Sequence, residues 1–217
     1  MKWRKDDARK SNVLRDRLVW QAASLLLAYP DDGHRARLDS VDTLIGHLGD
    51  PDASPLRAAL SGLRGLDALT AQTEYVQTFD LSRRRTMLLT YWTAGDTRNR
   101  GMQMLTFARA YRAAGAQPPT GEAPDHLPVV LEFAATVDPA AGRALLTEHR
   151  VPLEALRQAL AESGSPYAHV VAAVCATLPV TSQDQVRRLI SAGPPAEAVG
   201  LQPFQLTVPP RRAAGGG

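Results

Sequence analysis

Apolar positions along this chain recur at three- and four-residue steps and are broken at short intervals by Gly, Pro, Asp or Ser, the pattern of amphipathic helices joined by tight turns. Leu14, Leu18, Ala22, Leu25, Leu26 and Tyr29 share one face of a first helix predicted over 12–28, with Ser11 or Asn12 as cap and Pro30 and Gly33 as stop. Residues 35–48 predict a second helix, ended by Gly49 and Pro51, and Ser54 with Pro55 starts a third. Further helices are expected over 68–79, over 83–94, and from Asp96 or Thr97 to Ala114, with Gly95 and Gly115 as stops. Asp125 is the expected N-cap of a helix to Val137 that tolerates Pro128 in its first turn. Asp138 with Pro139, then Pro152, then Ser165 with Pro166, open three more, and a short last helix covers 182–192. No period-2 segment appears. The chain therefore reads as all-α, a compact single-domain multi-helix bundle over 12–192, with a frayed basic N-terminus at 1–11 and a Pro/Gly-rich disordered tail at 193–217.

Composition removes several function classes. With 217 residues the chain can bury a core without a disulfide or metal. Its single cysteine, Cys175, lies in the apolar stretch 170–178 and reads as a small buried hydrophobe. The histidines His34, His47, His126, His149 and His169 make no H-x-x-x-H pair, so no metal site is expected. Gly95 and Gly101 lack the Lys-Ser/Thr ending and the preceding strand of a phosphate loop. Asp125 beside His126 is a carboxylate–imidazole pair, but no nucleophile elbow or partner cysteine completes it, and no catalytic residue is assigned. The apolar run 18–29 contains Gln21 and Ser24, is too short to span a bilayer, and is followed by a turn rather than a cleavage site, so a cytoplasmic location is expected.

Charge distribution sharpens this picture more than the net value of +3. Lys and Arg crowd residues 1–17, and Arg83, Arg84, Arg85, Arg98 and Arg100 gather further on, whereas 122–138 holds Glu122, Asp125, Glu132 and Asp138 with no Lys or Arg. Such a bipolar surface suits a peptide partner at least as well as nucleic acid. Tyr75, Phe79, Tyr91 and Trp92 cluster at a helix junction, as core or as the wall of an apolar groove that receives an amphipathic helix.

Three motifs carry a family resemblance: YVQTFDL at 75–81, GDTRNRG at 95–101 and EAPDHLPVVLEF at 122–133, preceded by VWQAASLLLAYPD at 19–31. In this order and spacing they resemble the NarJ-type nitrate reductase molybdenum cofactor assembly chaperones of the redox-enzyme maturation group, also called nitrate reductase delta subunits. The resemblance implies an all-helical, non-enzymatic, cytoplasmic chaperone that holds no cofactor itself. It implies binding of the N-terminal segment of the nitrate reductase catalytic (alpha) subunit, and support of molybdenum cofactor insertion into that client before membrane docking. No nucleic acid and no membrane insertion are expected. The peptide groove is expected at Tyr75, Phe79, Asp80, Tyr91, Gly95, Asp96, Arg98, Arg100, Asp125, His126, Leu127, Pro128 and Glu132. The chain departs from the family pattern at Gln77, where Glu is usual, at Ala94, where His is common, and at Ala123, where Leu is usual. The competing reading is a helical nucleic-acid-binding regulator using the basic N-terminus and Arg83, Arg84 and Arg85.

Overall fold

The first helix buries a long apolar face, and four other helices pack against it. The computed structural model describes residues 2–117 and 120–195, with the side chains of 2–10 excepted. Helix α1 (Lys2–Leu27) buries Val19, Trp20, Ala22, Ala23, Leu26 and Leu27. Around it pack α2 (His34–Gly46), α3 (Ala53–Arg64), α7 (Leu127–Thr136) and α10 (Tyr167–Ala176), each offering its own apolar stripe. Polar side chains set the register of α1. Trp20 Nε1 donates to Thr177 Oγ1 at 2.9 Å, Ser24 Oγ to the Pro128 carbonyl at 2.9 Å, and Arg17 Nε to the Ala135 carbonyl at 2.7 Å. The buried Asp16 carboxylate accepts from Arg15 and from Arg143, and the Arg143 guanidinium lies over the Trp20 ring.

The remaining described helices are α4 (Ala68–Tyr75), the single turn α5 (Tyr91–Ala94), α6 (Arg98–Ala113), α8 (Pro139–Glu148), α9 (Arg150–Glu162) and α11 (Gln183–Ala192). No strand occurs among the described residues, in agreement with the all-α class. Local sequence explains many of the boundaries. Asp138 accepts from the backbone N–H groups of Ala140 and Ala141 with Pro139 at the first helical position, and Asp67 caps α4 by accepting from Thr70 N. Helices α7 and α8 touch closely because residue 142 is glycine: a Cβ there would lie 2.3 Å from the Cβ of Ala134.

A second polar knot lies between α9 and α10. The buried Glu154 carboxylate accepts from Arg157 Nε and Nη2 and from Arg150 Nη1, and Arg150 also reaches Cys175 Sγ at 3.2 Å. Burial pushes the Cys175 thiol up to about 12, so it is the packed apolar side chain its neighbours suggest.

Several sequence expectations change. Helix α1 is continuous from Lys2, so Ser11 lies inside the helix and the backbone of the N-terminus predicted as frayed is helical; no Gly or Pro interrupts 2–27. Helix α3 starts at Ala53, ahead of the Ser54 cap. Most of the predicted tail, 196–217, lies outside the described residues. The helix predicted over 83–94 is the largest departure. Instead a 3₁₀ turn at Arg83–Arg85 leads into extended chain, and only Tyr91–Ala94 is helical. Tertiary pairing overrides local propensity there: Leu89 N donates to the Asp125 carbonyl at 3.1 Å and Leu127 N to the Met87 carbonyl at 2.9 Å, a short antiparallel bridge.

Candidate functional site

The three motifs meet at this bridge. Helix α4 does not stop at Tyr75 but widens into a π turn over Val76–Asp80, closed by Leu81 N donating to the Val76 carbonyl at 3.1 Å. The extra residue rotates Phe79 under Tyr75, with ring centroids 4.9 Å apart, and both rings meet Tyr167 of α10. The Tyr75 hydroxyl donates to the Leu27 carbonyl at 3.0 Å, and burial drives its pKa well above the usual phenol value. Tyr75 and Phe79 are each 5% exposed, so they are core residues whose edges alone face the surface.

Arg85 holds the π turn from outside, donating to the carbonyls of Thr78 at 2.9 Å and Gln77 at 3.3 Å. That engagement takes one of the three consecutive arginines out of the basic cluster proposed for nucleic acid.

Asp125 is not the N-cap that its position suggests. It is fully buried, and its Oδ2 accepts from Thr90 N at 3.1 Å and Thr90 Oγ1 at 2.6 Å, tying the 86–90 segment to the turn before α7. His126 occupies the cap position without a side-chain cap bond. Among the described residues, Oδ1 of Asp125 has no hydrogen-bond partner, Arg100 Nη2 lies 3.8 Å from it, and Arg100 Nε is buried without a hydrogen-bond partner. His126 is 23% exposed and its Nδ1 lies 3.0 Å from Glu122 Oε2. Leu127 also departs from expectation, for at the start of α7 it is fully buried in the core.

Above these residues three troughs of about 520, 460 and 470 Å³ run into one another. The first and second share Tyr75, Glu122 and His126; the second and third share Phe79, Asp80, Thr86 and Leu88. Pro128 and Glu132 line the first trough, and Tyr91, Asp96 and Arg100 line the third. Gly95 lies beside the groove and ends α5 with φ 59° and ψ −149°, a conformation open essentially to glycine alone. Arg98 is exposed at the start of α6. The first trough carries Asp31, Glu122 and Glu132 with Arg37, while Arg83 and Arg100 stand with Asp80 and Asp96 in the third, so charge changes along the groove.

Sequence reasoning missed the contribution of α1 and its turn. Gln21, Leu25, Ala28 and Tyr29 form one wall of the first trough, and Tyr29 is 45% exposed. The signal was present in an aromatic residue at the exposed end of an apolar face. Thr90 was also missed, since nothing local marks it as the partner of a carboxylate 35 residues away. Among the described residues no cluster of His, Cys, Asp or Glu has metal-binding geometry, and no helix is long and apolar enough to cross a membrane.

Comparison with known proteins places this architecture. A family model for the nitrate reductase delta subunit matches residues 49–173. The nitrate reductase-like protein NarX of Mycobacterium tuberculosis is 58% identical over 160 residues, 74% of this chain but 24% of NarX, so the chain spans about a quarter of that relative. The probable nitrate reductase molybdenum cofactor assembly chaperone NarJ of Bacillus subtilis is 31% identical over 173 residues, covering 77% of this chain and 91% of NarJ. The Escherichia coli K12 chaperone NarJ is 35% identical over 115 residues, 52% of this chain and 49% of that protein. With more than half its length matched by the family model and a NarJ relative above 30% identity covered over nearly its whole length, the chain belongs to the nitrate reductase delta subunit family of NarJ-type chaperones.

Proposed function

We propose that this protein is a non-enzymatic chaperone of the cytoplasm that binds the N-terminal segment of a nitrate reductase catalytic subunit and supports insertion of the molybdenum cofactor before that client docks at the membrane. The observation that carries this reading is the continuity of the three troughs across the π turn, the 86–90 segment and the start of α7. A groove with apolar ring edges and an uneven rim of charge accepts an amphipathic helix, with apolar burial supplying affinity and the rim fixing direction. The chain's own residues do the work proposed: the Tyr75–Phe79–Tyr167 cluster makes a rigid floor, and Glu122, His126 and Glu132 offer polar contacts along the edge. Nothing in this role requires a metal or cofactor held by the chaperone.

Phe79→Ala is a poor probe of the groove, because truncating a core ring costs on the order of 3–5 kcal/mol of stability and would confuse binding with folding. His126→Ala and Glu132→Lys change the rim alone. Calorimetry with a synthetic peptide of the client's N-terminal segment should show the double variant binding at least roughly tenfold more weakly, with an unchanged melting temperature. Unchanged affinity would place the peptide elsewhere. Co-purification with the client should also disappear when its N-terminal segment is deleted.

A further inference from the structure

The chain's own C-terminal segment forms part of the wall of the third trough. After α11 the chain turns at Gly193, whose φ is 66°, and Pro194 and Pro195 then form part of the trough wall beside Tyr91, Asp96 and Arg100. The approach is close enough to require the glycine across from it. A Cβ on Gly95 would lie 1.7 Å from the Pro195 carbonyl oxygen and 2.8 Å from its carbon. Thus Gly95 has two reasons to lack a side chain: its own positive φ, and the backbone of Pro195 resting on it.

We propose that the chain from Pro194 onward is a tethered competitor for this groove, occupying its third trough until a peptide ligand displaces it. The proposal rests on the peptide-groove reading and adds a regulation to it. A Pro-Pro segment suits the task because its extended form carries little conformational freedom to lose on docking. The residue types after Pro195 also match the rest of the groove. By residue type, Leu201, Phe204, Leu206 and Val208 are apolar, and Arg211 and Arg212 carry the charge opposite to that of Glu122 and Glu132 on the rim. At about 3.3 Å per extended residue, 196–217 reach roughly 70 Å, which removes length as an obstacle. Tethering makes the competition effective even for a weak contact, since a short linker holds its segment at an effective concentration on the order of millimolar. A client would then bind only the fraction of molecules whose trough is open, and its apparent affinity would fall by that fraction.

The test compares the full chain with a variant ending at Gly193, using the labelled client N-terminal peptide as probe. Truncation should tighten binding at least roughly fivefold. A synthetic peptide of residues 193–212, titrated to millimolar concentration, should bind the truncated protein by NMR, shift the signals of Tyr91 and Gly95, and displace the client peptide. Equal or weaker client binding after truncation overturns the proposal, as does a 193–212 peptide that leaves those signals unmoved. The two readings fail separately. If the client peptide binds neither form while the 193–212 peptide still docks at Gly95, the client assignment is wrong and the tethered occupant stands.

Discussion

Two buried carboxylates are held in opposite ways. Glu154 has both oxygens bonded, one by Arg157 and the other by Arg150, in a knot between α9 and α10. Among the described residues, Asp125 has one oxygen bonded by Thr90 and the other without a hydrogen-bond partner, with Arg100 Nη2 near but outside hydrogen-bond reach at 3.8 Å. The difference separates a carboxylate fastened on both sides from one fastened on a single side. A fully bonded buried charge is a structural fastening, whereas a carboxylate bonded at one oxygen ties its segment by that side alone.

Glu154→Ala sharpens the contrast most. It strands two arginines that are only partly exposed, and should lower stability by about 3 kcal/mol in urea unfolding. A loss below about 1 kcal/mol would mean that the knot is solvated in the folded protein. Asp125→Ala should cost less, about 2 kcal/mol, because it orphans the buried Thr90 N–H but removes no bond at Oδ1. Asp125→Asn should cost less again, since the amide oxygen still accepts from Thr90 and its NH₂ stands in for an oxygen that has no hydrogen-bond partner among the described residues. If the asparagine variant were as unstable as the alanine one, the ion pair with Arg100 would matter more than its 3.8 Å separation implies.

The smallest expected effect is a pH dependence. Burial raises the Glu154 pKa, but hydrogen bonds from Arg157 and Arg150 outweigh it and hold the carboxyl below its usual value. A depressed folded value means that the stabilisation is complete above the unfolded carboxylate pKa of about 4.3 and is lost as pH falls through the folded one. The stability gap between the natural protein and Glu154→Gln should therefore be constant near neutrality and shrink below about pH 4. A gap that widened on acidification would reverse the sign of the argument.

Much of the helical frame was legible because its signals are local. Asp138 with Pro139, Gly95 and Gly115 act within a few residues of themselves, and the apolar stripes repeat within each helix. The candidate site was legible only in outline. His126, Asp80, Arg100 and Glu132 of the motifs line the troughs, whereas Leu127 is core and Asp125 ties two segments together from below. The helix expected over 83–94 failed because its residues have no local reason to be extended; the carbonyls and carboxylate that hold them there come from 125–127.

By itself, then, the sequence determined the helical class, most helix boundaries, the family resemblance and the inert character of Cys175, since each is set by spacing or by residues in immediate succession. Only the tertiary structure decided that Tyr75 and Phe79 are floor rather than wall, that α1 supplies a wall of the groove, and that Pro195 rests on Gly95. Those facts depend on surfaces from distant segments meeting at van der Waals distance, and periodicity along one helix carries no record of what packs against it.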